Sequence, residues 1–232
     1  MGETPTPEPM GETPTPEPMG ETPTGGRPNL LAGQRLPPPA RQERSRRKRE
    51  ALLSAALALF AEHGYEETSI EEIARRAGVA VGGFYQHFAS KRQVLLVLMN
   101  GLLDEASALV PPLDGTLPAS SPRDAIESLV RQGLRVDWAY AGAYRAWREA
   151  AVRDAEVRAL YHAVEDWTAG QLEQIVHVLL RAPGARHDVA VAPLSWVLGL
   201  LFWRLAETPL DDADAVVASV TDLIYHALYY DR

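Results

Sequence analysis

Tyr85, Gln86 and His87 set three hydrogen-bonding side chains in a row, just after a glycine pair, Gly82-Gly83, and shortly before Lys91. Each residue type has a definite chemistry toward a polyanion. An amide such as Gln86 can pair with the edge of a base, and a phenol such as Tyr85 donates to phosphate. The imidazole of His87 either reaches phosphate or packs beside Phe88. Two glycines are poor helix formers, and their missing side chains let backbone come close to phosphate or base edges. Lys91 sits where a helix begins, so its charge opposes the helix dipole and requires a compensating anion, for which a phosphate is a good candidate. Upstream, Arg41, Arg44, Arg46, Arg47, Lys48 and Arg49 face a lone acid, Glu43. That run is either an arm for phosphate or minor groove, or a solvated helix start. Basic charge in one segment, with base-reading groups beside it, is what duplex nucleic acid requires of a partner.

The elements that must position these residues announce themselves locally. Ser69 with Glu72 fits a capping box, and Thr68 with Glu71 fits one residue earlier. Ile70, Ile73, Ala74 and Ala77 fall at helical spacing, and Gly78 ends that helix. Val79 and Phe84 are expected to lock a second short helix onto the first, with Phe88 turned inward. Ser90 caps a further helix opened by Lys91. Before them, a helix from about Arg46 to His63 carries Leu53, Leu57 and Phe60 on a buried stripe and stops at Gly64. Residues 69–88 therefore predict a helix-turn-helix, the plan in which the second helix enters the major groove.

From Arg47 to about Leu103 the chain resembles the DNA-binding domain of the TetR family of transcriptional regulators. The resemblance rests on Ala55, Phe60, Gly64, Tyr65, Thr68, Ile73, Ala74, Ala77, Gly78, Val79, Phe84, Tyr85, His87, Phe88, Lys91 and Leu95, in register without gaps. It implies that Ser69, Val81, Gly82, Gly83, Tyr85, Gln86, His87 and Lys91 lie at or near DNA, and the basic run adds Arg46 and Arg47 to them. Position 83 departs from the family, where a polar, base-reading residue is common. The resemblance further implies a C-terminal helical domain that binds a small-molecule effector and pairs with its twofold mate. The whole would be a repressor that holds a palindromic double-stranded operator as a homodimer and releases it on binding the effector.

Net charge is −8 over 232 residues, but it is divided unevenly. Residues 1–40 carry −3, residues 41–95 carry +3 and residues 96–232 carry −8. The basic balance is thus confined to the segment that needs it, and the acidic remainder discourages non-specific wrapping by DNA. Cysteine is absent, which excludes disulfides and thiolate zinc sites. No secretory signal is visible, and the most apolar run, Val189 to Trp203, is shorter than the roughly 20 residues a bilayer span needs. A soluble, cytoplasmic protein with no membrane partner is expected. Residues 1–24 repeat Met-Gly-Glu-Thr-Pro-Thr-Pro-Glu-Pro with a nine-residue period. The stretch to Ala40 is Pro-rich, so 1–40 is expected to be a disordered tail. The helix-turn-helix domain then occupies 41–103, and an effector-binding and dimerisation domain 104–232.

The architecture expected is all-α, with about nine helices and no strands. Pro111-Pro112 stops the helix that starts at Lys91. Ser121-Pro122 starts the next, and Gly142 suggests a break near its end. A short helix over 143–152, a long one from Asp154 to Arg181 and two more at about 187–206 and 211–229 complete the chain. Among the aromatic residues, Trp138, Tyr144, Trp147 and Trp167 are the candidate pocket lining, because large amphipathic rings suit a cavity with few polar groups. An ordinary core would use the same residues. Leu194, Leu198 and Leu201, with Val217, Val220 and Ile224, form the candidate dimer stripe; completion of the protomer core is the competing reading.

Catalytic chemistry finds little support. His162 with Glu165 or Asp166 shares a helix face, but no further metal ligand is placed, and solvated helix charges explain the pairs better. There is no phosphate loop, nucleophile elbow or carboxylate pair of suitable spacing. No metal, cofactor or enzymatic activity is expected. The alternative to a regulator is an all-α enzyme or interaction protein that only resembles one.

Overall fold

The computed structural model describes residues 26–37, 43–110, 121–207 and 211–230. Nine helices follow one another among them: α1 (Glu43–Glu67), α2 (Ile70–Arg76), α3 (Val81–Phe84), α4 (Lys91–Ser107), α5 (Pro122–Ala139), α6 (Ala141–Arg153), α7 (Ala155–Leu179), α8 (Val191–Glu207) and α9 (Ala213–Leu228). The all-α reading holds; the one sheet-like contact among the described residues is an isolated bridge between Ala185 and Tyr229.

Local signals set the helix starts. Ser90, Ser121, Asp154 and Asp212 each accept a backbone N–H of the following first turn, which satisfies donors that a helix start leaves open. Gly64, with non-helical backbone at φ 82°, breaks α1 where the stop was expected, and a short helical turn continues beyond it to Glu67. The buried stripe of α1 is Leu52, Ala56, Leu59 and Phe60, whereas Leu53 and Leu57 are only half-buried. The break expected at Gly142 falls at Tyr140, which closes α5 and opens α6. Gly142 itself lies inside α6 for a packing reason: a Cβ there would stand 2.2 Å from the Leu57 carbonyl oxygen and 2.8 Å from Ala61 N. Only glycine lets α6 press this closely on α1.

Two cores result. The first joins α1, α2, α3 and α4 to α6 and the N-terminal half of α7, with Phe60, Phe84, Phe88, Met99 and Trp147 among its fully buried side chains. The second gathers α5, α8, α9 and the C-terminal half of α7 around Ile126, Val176, Leu198 and Ile224. The boundary expected at 103/104 is therefore not a break in packing, because α6 belongs to the core of the helix-turn-helix.

The expectation of a disordered tail over 1–40 is corrected for residues 26–37. Leu30 is 1% exposed and belongs to the first core. Arg27 donates to Asn100 O (2.8 Å) and pairs with Asp104 (2.9 Å), while Gln93 Nε2 donates to Arg35 O (3.2 Å). Leu30, with half-buried Leu31, and three polar contacts strap this segment along α4, which composition alone does not disclose. The repeat at 1–24 lies outside the described residues. No helix among the described residues is long and apolar enough to cross a membrane.

Candidate nucleic-acid interface and ligand cavity

The capping box at Ser69 forms in full. Ser69 Oγ accepts from Glu72 N (3.2 Å), while Glu72 Oε2 accepts from Ser69 N (2.9 Å) and Ser69 Oγ (2.8 Å). The Ser69 hydroxyl is thereby engaged in starting α2. Gly78, at φ 65°, turns the chain into α3. After α3 the backbone stays helical for one more turn, with His87 N and Phe88 N both bonded to Phe84 O. Phe84 and Phe88 anchor this turn in the core, while Val81, Gly82, Tyr85 and Gln86 face outward.

The two glycines differ. A Cβ at Gly82 would meet nothing within 4 Å, so its bare backbone borders open space. A Cβ at Gly83 would stand 2.6 Å from Val79 Cγ1, so this glycine serves the packing of the turn and not an outer surface.

His87 is buried, 6% exposed, and burial together with Arg49 and Lys48 holds its pKa below the usual imidazole value. Of the two roles open to it, the fold has selected packing. Arg49, one cation among six in the basic run, donates to His87 O (3.1 Å) and lies 4.4 Å over the Phe88 ring. It ties the basic helix to the recognition turn.

Lys91 has partners within the chain. The negative end that its helix start requires is the carboxyl end of α1. Its Nζ donates to Tyr65 O, to Thr68 O at 2.8 Å and to Glu66 O at 3.3 Å, and lies 4.3 Å over the Tyr65 ring. Burial lowers its pKa. Three donors on three carbonyls fill an ammonium's capacity.

Arg46 and Arg47 are exposed on α1 and pair within the helix, Arg47 Nε with Glu43 at 2.9 Å and Arg46 with Glu43 and Glu50. Exposed pairs of this kind are worth at most about 1 kcal/mol, so they do not compete strongly with phosphate. A shallow groove runs between this end of α1 and the α2–α3 turn, lined by Arg44, Arg47, Lys48, Glu43, Ala51 and Ala77–Val79, three cations against one carboxylate.

The second region is a cavity of about 150 Å³ between α4, α5, α7 and α8, to whose lining α6 adds Tyr144 and α9 adds Ile224. Of the four aromatic residues singled out from the sequence, Tyr144 and Trp167 line this cavity and Trp138 and Trp147 do not. The indole of Trp138 donates to Leu205 O (3.0 Å), and Trp147 is 0% exposed in the core shared with α1. Sequence reasoning missed Asp137, whose Oδ1 accepts from the Tyr144 hydroxyl at 2.8 Å. Burial pushes its carboxyl up to about 6 and raises Tyr144 well above the phenol range.

α6 connects the two regions. Tyr144 faces the cavity, while Arg145 Nη1 donates to Ala61 O (3.0 Å) and Glu149 accepts from Tyr65 N (2.6 Å). A Cβ at Gly64 would meet Glu149 at 2.5 Å, so that glycine supplies space as well as its backbone angle.

The expected dimer stripe is also corrected. Leu198, Val217, Val220 and Ile224 are buried within the protomer, and Leu194 and Leu201 pack half-buried against the same core. The exposed apolar side chains of these two helices are Trp196, Val197 and Leu200 on α8 and Leu223 on α9, between 49% and 60% open. Of the candidate metal pairs, His162 Nδ1 lies 3.1 Å from Glu165 Oε2 on the exposed face of α7. No cluster of three or more metal-ligating side chains occurs among the described residues.

Residues 52–98 match the family described as bacterial regulatory proteins, tetR family. The transcriptional regulator TcmR of Streptomyces glaucescens is 44% identical over 69 residues, 30% of each chain. The aligned part thus spans under a third of that relative. Among solved structures, a γ-butyrolactone receptor superposes with a TM-score of 0.63 at 22% identity, over 80% of this chain and 90% of that one. The ketosteroid regulator KstR2 of Mycobacterium tuberculosis gives 0.59 at 18% identity, over 79% and 96%. Likeness at these identities extends the shared fold through the C-terminal helices.

Proposed function

Since the chain belongs to the TetR family of bacterial regulatory proteins through residues 52–98, we propose that it is a cytoplasmic, ligand-responsive transcriptional repressor that binds a palindromic operator as a homodimer. The observation that carries this reading is the outward strip of Val81, Gly82, Tyr85 and Gln86, seated on buried Phe84 and Phe88 beside the cationic groove of Arg44, Arg47 and Lys48. Gln86 reads base edges, Tyr85 and the groove cations hold phosphates, and Gly82 admits backbone to the groove wall. Lys91 and His87 act from behind, by holding the turn in place.

One short recognition helix reads few bases, so two must act together. The exposed apolar side chains Trp196, Val197 and Leu200 of α8 are the surface on which the second copy docks, and Leu223 of α9 adds a further exposed apolar side chain. A guest in the cavity shifts Tyr144, hence α6, hence α1 and the angle between the two recognition helices. KstR2 and the γ-butyrolactone receptor are, by their names, regulators or receptors of small molecules; that supports the same logic here.

Selection from a randomised duplex library, followed by anisotropy titrations over a salt series, tests the proposal. An enriched palindrome is expected, with affinity falling linearly on a log–log salt scale. Arg47→Ala should lower the salt slope by about one unit, and Gln86→Ala should cost about 1–3 kcal/mol on the selected site alone. No enrichment over scrambled duplex would end the reading. Leu200→Glu should give a folded monomer in sedimentation, whereas a charge at Leu198, buried in the protomer, should unfold it.

A further inference from the structure

Among the described residues, the cavity is lined by one acid and no base. Asp137 reaches it from the last turn of α5, and none of the described residues lining it is Lys, Arg or His. The wall is otherwise aliphatic and aromatic, with Thr168, Gln171, the Tyr144 hydroxyl and the indoles as its further polar side-chain groups.

Asp137 is unfavourable to the fold on two separate grounds. It is largely enclosed, and no cationic side chain is among the groups that act on it. It also stands at the carboxyl end of α5, where the helix dipole disfavours a negative charge and a cation would be preferred. The hydrogen bond from Tyr144 occupies one oxygen, and an ionised carboxylate has about four lone-pair sites. A group that weakens the fold twice, and retains acceptor capacity toward an apolar cavity, is best explained by what enters that cavity.

We propose that the guest is a small apolar ammonium ion, a protonated alkyl or arylalkyl amine, whose N–H groups donate to Asp137 while its hydrocarbon part fills the wall. This rests on reading the cavity as the effector site and names the effector's class. About 150 Å³ is the cavity volume that accommodates a benzene-sized guest, which limits the ligand to about one ring and a short chain. Carboxylates, phosphates and acyl thioesters of phosphorylated carriers are excluded, because their charge meets Asp137 and no counter-charge.

The test uses the full chain near neutral pH with a matched set of probes: 2-phenylethylamine, 2-phenylethanol and phenylacetate. Calorimetric titration and thermal shift are read without DNA. The amine should bind about tenfold or more tightly than the alcohol, as one charge-assisted hydrogen bond predicts, and phenylacetate should not bind. Asp137→Asn should reduce the amine to the alcohol's affinity, and Tyr144→Phe, which keeps the carboxylate, should preserve the preference. Phenylacetate binding as tightly as the amine, a preference surviving Asp137→Asn, or no amine binding at millimolar concentration would each overturn the proposal. DNA release is measured separately. An amine that binds at Asp137 yet leaves the DNA complex intact upholds the ligand class and removes the effector reading.

Discussion

The junction between α1 and α6 is filled to the backbone, whereas the space between α5 and α7 is left open, and α6 touches both. At the junction Gly142 lies against the Leu57 carbonyl, Trp147 is fully buried, and Glu149 and Arg145 bond directly to the backbone of α1. In the cavity Tyr144 and Trp167 border open space, and the most polar member, Asp137, has one hydrogen bond from a phenol. Under the proposed function, the difference is a division of labour within one fold. Close-packed contacts have few alternative arrangements and carry displacement, while a poorly filled region can change at small cost.

Two glycines give the sharpest way to break this comparison. Gly142→Ala puts a methyl against backbone that cannot rotate away, and should cost about 3 kcal/mol, read as a lower denaturant midpoint. A neutral effect would mean that α6 is not pressed on α1 as described. Gly133, in the middle of α5, lines the cavity, and a Cβ there meets nothing within 4 Å. The same substitution should therefore help at that position.

Between these extremes lies Asp137. Its carboxyl is raised from 3.8 to about 6 by burial, so the folded state holds the proton more tightly than the unfolded chain. The stability this contributes is fully present below about pH 4 and is lost as pH rises through about 6, where the buried carboxylate ionises. Asp137→Asn should therefore stabilise the fold more at pH 8 than at pH 5, by on the order of 1–2 kcal/mol, read as a larger rise in melting temperature at pH 8. A difference independent of pH would remove Asp137 from the account of the cavity. The smallest expected effect belongs to Gly133→Ala, a gain of about 0.5–1 kcal/mol from helix propensity. The gain should come with weaker binding of any cavity guest, because the methyl takes up space there.

Much of the helix-turn-helix is legible in the order of its residues. The Ser69–Glu72 box, the positive φ at Gly78 and the inward Phe84 and Phe88 all stand as the residue types require. The roles of individual contact residues are less legible. His87 and Lys91 carry groups suited to phosphate, and nothing in their spacing discloses that one is buried and the other spent on the end of α1. Asp137 gives no signal, because one acid among many on amphipathic helices shows no sign of enclosure. Leu30 is hidden likewise by the Pro-rich composition around it.

What the sequence determined by itself was the set of helices and the kind of surface the recognition turn presents. Capping, helical periodicity and glycine angles act within about one turn of chain, so the local residues suffice. The tertiary structure alone decided which side of each apolar helix is interior. α8 is apolar on most of its circumference, and only its placement against α7 and α5 leaves Trp196, Val197 and Leu200 outside while burying Leu198. The same placement put Trp147 in a filled core and Trp167 beside a cavity. Burial depends on distances between helices far apart in the chain, and no pattern confined to one helix encodes them.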